Sequence, residues 1–290
     1  MIINFKEVSL VKKIQEIFNK GVQKMSRSTN TNSDSAAGSS YRRLRFYNFG
    51  MGILHLIQGI LMFILSNDFS LPVTTLYLKF NAETTSLSQN LQTVGQIRLG
   101  PLVAGFLLIS ALAHFVVSTI GFGVYKSDLE KGLNRFRWYE YALSASLMIV
   151  VISMLVGVYD LSSLILIFFL NAAMILFGMD QEVFTNPGKG TDWRPFIWGS
   201  IMGLIPWVVI ALYLFGTEST TGTSVPNFVY GIFASIFVFF NVFAINMVLQ
   251  YKKVGPWKDY LFGERVYVLL SLFAKSALAW QVFAGTLRPM

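Results

Sequence analysis

The chain has 290 residues, of which 54% are hydrophobic and only 13% are charged, and its net charge is +8. A water-soluble domain usually carries about 25% charged residues, so this composition excludes an ordinary soluble fold and favours a membrane protein. Apolar runs of about 20 residues, the length that crosses a hydrocarbon core, predict α-helical spans rather than a β-barrel, whose strands are short and alternate in polarity. The absence of cysteine excludes disulfides and thiolate chemistry.

The N-terminal segment, residues 1–41, differs from the rest of the chain. In MIINFKEVSLVKKIQEIFNKGVQKM, apolar residues recur near helical spacing with lysines between them, a pattern typical of a basic amphipathic helix on a membrane surface. The stretch STNTNSDSAAGSS predicts a flexible linker, because it is rich in small polar residues. The remainder, residues 42–290, forms the predicted membrane domain.

Seven apolar segments follow and predict an all-α membrane protein with a bundle of seven transmembrane helices. They cover approximately residues 45–65, 97–124, 135–158, 161–179, 195–215, 226–250 and 263–286. The long connection after the first span contains LPVTTLYLKF, in which β-branched and aromatic residues partly alternate with polar ones. This connection is either a small β-hairpin completed by TTSLSQNLQTV or an irregular loop.

Lysine and arginine are concentrated before the first span and in the loops that follow the second, fourth and sixth spans. The positive-inside rule therefore predicts a multi-pass protein with a cytoplasmic N-terminus and an extracellular C-terminus. This distribution also accounts for the positive net charge without nucleic acid as a partner.

Few titratable residues fall within the predicted spans, namely His55, His114, Glu140 and Lys275. Ionisable groups are costly in a bilayer, so each is a candidate functional residue. Lys275, in SLFAKSALAW, would be nucleophilic when desolvated and could form a Schiff base with an aldehyde; a structural ion pair is the alternative. A protonated imine needs a counter-charge, and Glu140 is the best-placed acid. Glu140 could instead pair with Arg135 or Arg137 at the end of its helix.

Polar residues four positions apart share a helix face in three spans: Ser110 and His114, Glu140 and Ser144, Ser271 and Lys275. These pairs predict one buried polar site, although serine also occurs at ordinary packing faces of membrane helices. Two histidines without a carboxylate cluster do not favour a metal site, so a histidine that accepts a proton near the imine is the sharper hypothesis. The residues that could line a long apolar slot, or simply pack in the core, are Asn171, Met174, Trp207, Phe240 and Asn241.

Seven spans with a lysine in the last one resemble the retinal-binding rhodopsins. The motifs SLFAKSALAWQVFAGTLRP and NRFRWYEYALSAS, the two histidines and the inside N-terminus resemble one branch, the heliorhodopsins, over residues 42–290. The resemblance implies all-trans retinal bound to Lys275 as a protonated Schiff base, with Glu140 as counterion. Ser271 stands where most microbial rhodopsins have an aspartate. The implied retinal site further includes His55, His114, Ser110, Asn134, Tyr141, Ser144, Asn171, Met174, Trp207 and Phe240.

The resemblance implies a light-absorbing photoreceptor, not an enzyme, that forms a homodimer in the lipid bilayer. Light would isomerise retinal, and the Schiff-base proton would move to a nearby acceptor such as a histidine–water cluster or Glu140. The basic loops would then pass the change to an unknown cytoplasmic partner. Light-driven or light-gated proton transport is the main alternative, although the spans contain few acids that could relay protons on both sides of Lys275. A Schiff-base enzyme or a transporter without retinal is a third alternative, which no residue pattern favours.

Overall fold

The computed structural model describes residues 38–185 and 190–289, so the predicted N-terminal amphipathic helix and most of the predicted linker lie outside the described residues. Within them, seven helices are long and apolar enough to cross a membrane, which confirms the predicted fold class. The helices, in chain order, are α1 Gly38–Leu65, α2 Leu99–Ser118, α3 Phe122–Glu130, α4 Arg135–Leu155, α5 Leu161–Phe184, α6 Arg194–Thr221, α7 Asn227–Tyr251 and α8 Tyr260–Val282. All except the short α3 are the membrane helices, and a π-helical turn, Phe283–Leu287, extends α8.

The second span is shorter than predicted, because the apolar segment at 97–124 divides into α2 and α3. The chain breaks at Thr119, whose backbone dihedrals of −123° and −101° are not helical. The backbone N–H of Gly121 then bonds to the carbonyl oxygen of Val116 at 2.8 Å. A Cβ at position 121 would lie 2.9 Å from that same oxygen, so the tight turn requires glycine. Hydropathy continues through this turn, which is why the sequence pattern did not reveal it.

An antiparallel hairpin connects α1 to α2, as the strand interpretation of LPVTTLYLKF predicts. Its strands are β1 Ser70–Asn81 and β2 Ser86–Arg98, with an irregularity in register between Val73 and Thr74. The backbone N–H of Thr74 donates to the carbonyl oxygen of Tyr159 at 2.8 Å, which ties the hairpin to the turn between α4 and α5. The irregular-loop alternative is therefore wrong.

The two ends of the bundle differ in the polarity of the interior next to them. We call the end that carries connections 119–134 and 252–259 the basic end, and the end that carries the β-hairpin the hairpin end. Between Lys275 and the hairpin end, the interior is mainly apolar and includes the fully buried Met62, Leu107, Ile152 and Leu278. Among the described residues, no buried Asp, Glu, His, Lys or Arg lies in that half. The buried charged groups therefore lie at the level of Lys275 or nearer the basic end.

Candidate functional site

Lys275 and Glu140 form a buried ion pair between the middle of α8 and the first half of α4. The Nζ of Lys275 donates to Oε1 of Glu140 at 2.7 Å and to Oγ of Ser271 at 2.9 Å. Ser110, on α2, donates to the same carboxylate oxygen at 2.6 Å. The two charged side chains are only 3% and 8% exposed, so neither charge is solvated by bulk water. In such a pair each charge is stabilised by the other, so removing one partner lowers the stability of the folded protein by about 3–5 kcal/mol.

The arginines that could have competed for Glu140 have other partners. Arg135 donates to both carboxylate oxygens of Asp128, at 2.7 and 2.9 Å. Arg137 bonds to Glu182 and Glu264. The helix-end pairing considered for Glu140 is therefore absent, and its carboxylate is left for Lys275.

The two histidines lie side by side in α1 and α2. The rings of His55 and His114 are stacked, with centroids 5.5 Å apart and planes inclined by 12°. Nδ1 of His114 is 2.9 Å from Oδ1 of Asn48, whereas neither ring nitrogen of the fully buried His55 has a hydrogen-bond partner within the described part of the chain. His114 follows Ser110 by one helical turn, so both lie on one face of α2. The stacked histidines therefore extend the row of polar groups that begins at Glu140 and Ser110. Ser144, also buried, lies one turn beyond Glu140 on α4.

A mostly apolar cavity of about 230 Å³ lies beside Lys275, between α4, α5, α6, α7 and α8. Of the residues predicted for the site, those that line it are Tyr141, Met174, Trp207, Phe240, Asn241, Ser271 and Lys275. The Trp207 ring packs edge-on against the rings of Phe237 and Phe240, with centroids 5.2 and 5.5 Å apart. A Cβ at Gly203 would overlap the Met174 side chain, so glycine allows this close packing.

A sequence model of the heliorhodopsin family matches residues 44–287, nearly the whole of the described chain. This chain belongs to the heliorhodopsin family. No curated protein matches it. Family membership supports a light-responsive protein with a retinal chromophore, and the geometry fits: this heliorhodopsin places a buried primary amine at the wall of an apolar, aromatic-lined cavity, with the Glu140 carboxylate 2.7 Å from that amine.

Three solved structures share the fold of this heliorhodopsin at 14% identity. The light-driven proton pump of Leptosphaeria maculans matches with a TM-score of 0.58, over 85% of this chain and 95% of that chain. Exiguobacterium sibiricum rhodopsin matches with a TM-score of 0.57, over 85% and 96%. Xanthorhodopsin, described as a light-driven ion pump with dual chromophore, matches with a TM-score of 0.50, over 86% and 92%. At this identity these likenesses establish the seven-helix rhodopsin fold alone.

The residues that the resemblance assigns to the site and that do not line the cavity of this heliorhodopsin are Glu140, Ser110, Ser144, His55, His114, Asn134 and Asn171. The last two bond to groups other than the Lys275–Glu140 pair. Asn134 caps α4 by accepting from the Arg137 backbone N–H at 3.0 Å, and its amide donates to Glu264 at 2.6 Å. Asn171 donates to Oγ of Ser146 at 3.1 Å between α5 and α4. Neither is among the described residues that line the cavity.

A second group of buried charges was not predicted. We call Arg137, Glu182 and Glu264 the Arg137 cluster; their side chains are 4%, 2% and 0% exposed. Glu182 and Glu264 lie near helix ends, where acids usually face water, so the sequence does not mark them as buried. One signal was available: Glu264 precedes Lys275 by 11 positions, so both lie on one face of α8.

Proposed function

We propose that this heliorhodopsin is a light sensor, not an enzyme, that carries all-trans retinal on Lys275 as a protonated Schiff base, with Glu140 as counterion. The observation that carries the proposal is the 2.7 Å ion pair between Glu140 and Nζ of Lys275, the lysine that lines the apolar cavity. When bound, retinal supplies absorption of visible light and a double bond that light isomerises. The protein must then hold one positive charge on the Lys275 nitrogen in a site without bulk water.

Three side chains hold that charge in place. Glu140 supplies the negative charge, and the Ser110 hydroxyl fixes the orientation of its carboxylate through a 2.6 Å hydrogen bond. Ser271 accepts from the lysine nitrogen at 2.9 Å without adding a second charge. One cation therefore faces one anion, which favours a stable proton on the nitrogen before light is absorbed.

The histidine pair supplies a nearby place for that proton. Light-driven rearrangement at the cavity wall would weaken the contact between Lys275 and Glu140, and the proton would leave the nitrogen. His114, one turn from Ser110, and the stacked His55 can accept it, because neutral imidazole has a basic nitrogen. The resulting separation of charge in a low-dielectric interior would bias the helices toward a second arrangement.

The apolar interior on one side of Lys275 supports a sensor over a pump. A pump needs relay groups on both sides of the Schiff base. Between Lys275 and the hairpin end, the described interior has no buried Asp, Glu, His, Lys or Arg, and residues such as Leu278 and Val282 are fully buried. Proton movement would therefore stay on the basic-end side, without net transport across the membrane.

Voltage-clamp recording tests the sensor proposal. We expect cells that express this heliorhodopsin with retinal to show at most a transient current under continuous light, because the described interior offers no ionisable relay group toward the hairpin end. A light-driven proton pump of the same fold, expressed to the same level, is the positive control. A steady photocurrent comparable with that of the pump would contradict the proposal and favour proton transport.

We also propose that the basic end faces the cytoplasm, on the strength of the positive-inside rule. The cysteine-free chain allows a direct test with single exposed cysteines. Glu83→Cys lies in the hairpin turn and Lys131→Cys lies at the basic end, and both positions are exposed. We expect a membrane-impermeant maleimide to label position 83 in intact cells and position 131 only after permeabilisation. The reverse pattern would overturn the orientation.

A further inference from the structure

The Arg137 cluster joins three membrane helices through charged hydrogen bonds. Arg137 of α4 donates from Nη1 to Glu264 of α8 and from Nη2 to Glu182 of α5. Asn134 strengthens both contacts, because its backbone N–H donates to Glu182 at 2.9 Å and its side-chain amide donates to Glu264 at 2.6 Å. The indole N–H of Trp138 also donates to Glu182, at 2.6 Å. All of these groups lie between Lys275 and the basic end.

The charges of the cluster do not balance. One guanidinium and two carboxylates give a net charge of −1, in side chains that are at most 4% exposed. Two other cations of the described chain have anions of their own: Lys275 bonds to Glu140 and Arg135 bonds to Asp128. Within the described residues, no cation other than Arg137 contacts either carboxylate of the cluster.

Four phenols, which carry no positive charge, also surround the cluster in the part of the chain that the structure describes. Tyr260 and Tyr267 come from α8, Tyr251 from α7 and Tyr125 from α3. Tyr260 donates to Glu182 at 3.3 Å, and burial raises the pKa of Tyr125, which lies outside the membrane-spanning helices. A phenol has an ordinary pKa of about 10, so these groups stay neutral near pH 7 and leave the excess negative charge in place.

We infer that the Arg137 cluster is a binding site for one proton, which Glu182 and Glu264 share. An unbalanced buried charge destabilises the folded protein, and a carboxylate in such a place avoids that cost by taking up a proton. When two carboxylates lie close together, their negative charges repel each other, and one of them takes up a proton far more readily than the other. Glu182 and Glu264 are in this situation, because they share a single cation. The proton comes from water at the basic end, and its binding converts one carboxylate into a neutral carboxylic acid.

The proton site is connected to the cavity by aromatic side chains. The Arg137 guanidinium lies 3.9 Å from the centroid of the Tyr267 ring. The backbone oxygen of Tyr267 accepts from the Tyr141 hydroxyl at 2.9 Å, and the Tyr141 ring centroid is 5.0 Å from Nζ of Lys275. A change of charge at Lys275 can therefore reach the stored proton through packed groups. The dark-state proton itself does not depend on retinal or on the proposed light-sensing function.

Infrared spectroscopy of the dark protein at neutral pH tests this inference. A protonated carboxyl group absorbs in a region apart from ionised carboxylates, and its band shifts in D2O and with 13C-labelled glutamate. We expect such a glutamate band in the wild type. Glu182→Gln and Glu264→Gln should each remove it completely, because the remaining glutamate and Arg137 form a neutral pair. Glu130→Gln, at an exposed position on α3, should leave it unchanged.

Several results would overturn the inference. A wild-type protein without the band has no stored proton, and this measurement does not require any variant to fold. A band that only one of the two Gln variants removes belongs to an isolated acid rather than to a shared site. A band that disappears in Glu140→Gln belongs to the counterion. Arg137→Gln gives an independent check: the cluster should take up a second proton, and the band should become stronger.

Discussion

Lys275→Ala is expected to give a protein that stays colourless when all-trans retinal is added. Lys275 supplies the primary amine at the wall of the aromatic-lined cavity, and without an amine there an aldehyde cannot form an imine. The expected loss is complete, not partial, because it removes the atom that forms the bond. Visible absorption spectra of membranes incubated with retinal provide the measurement, with the wild type as reference.

Two further variants separate the lost chemistry from the lost charge. Lys275→Ala leaves the buried Glu140 carboxylate without its cation, which should lower the free energy of unfolding by about 3–5 kcal/mol. Adding Glu140→Gln removes both charges, so this double variant should recover stability but remain colourless. Lys252→Ala, at a basic-end position, should colour like the wild type. Colour in either Lys275 variant would mean that another lysine carries the chromophore.

Glu140→Gln is expected to change the colour of the pigment strongly. The Glu140 carboxylate faces the Lys275 nitrogen at 2.7 Å, and it stabilises positive charge there more in the ground state than after light spreads that charge along the polyene. Without it, excitation needs less energy and absorption shifts to the red. Alternatively, the nitrogen loses its proton near neutral pH and absorption moves to the near ultraviolet. A pH titration of the visible spectrum distinguishes these two outcomes.

The matched control for Glu140→Gln is Glu130→Gln, which removes a carboxylate from α3 that is 51% exposed and pairs with Lys126. This control should absorb like the wild type at every pH. An unchanged spectrum for Glu140→Gln would mean that another acid is the counterion, and Glu264 would be the next acid to replace.

The features that could be predicted from sequence depend on local composition. The membrane spans can be predicted because each is a long apolar run. The pairing of Lys275 with Glu140 can be predicted because few acidic residues lie inside those runs. The break at Thr119 was missed, since its apolar neighbours continue the run while the turn depends on a backbone contact at Gly121. Sequence patterns show how polarity varies along the chain, but they do not show a single backbone contact such as this one.

The Arg137 cluster could not be predicted for a different reason. Charged residues near the end of a membrane helix usually reach water, and Glu182 and Glu264 occupy such positions. Their burial arises because α4, α5 and α8 meet there, so that Arg137 reaches both acids. Asn134, which the resemblance assigns to the retinal site, instead hydrogen-bonds to this cluster. Tertiary packing, rather than the polarity of any one segment, creates this second buried site.

Chemical trapping tests the covalent attachment of retinal most directly. Wild-type protein would be incubated with all-trans retinal, treated with borohydride to reduce the imine to a stable amine, digested and analysed by mass spectrometry. Our account predicts a retinyl adduct on the peptide that contains Lys275, and no adduct there in Lys275→Ala. A coloured wild-type protein whose adduct lies on a different lysine, or that yields no adduct, would contradict it.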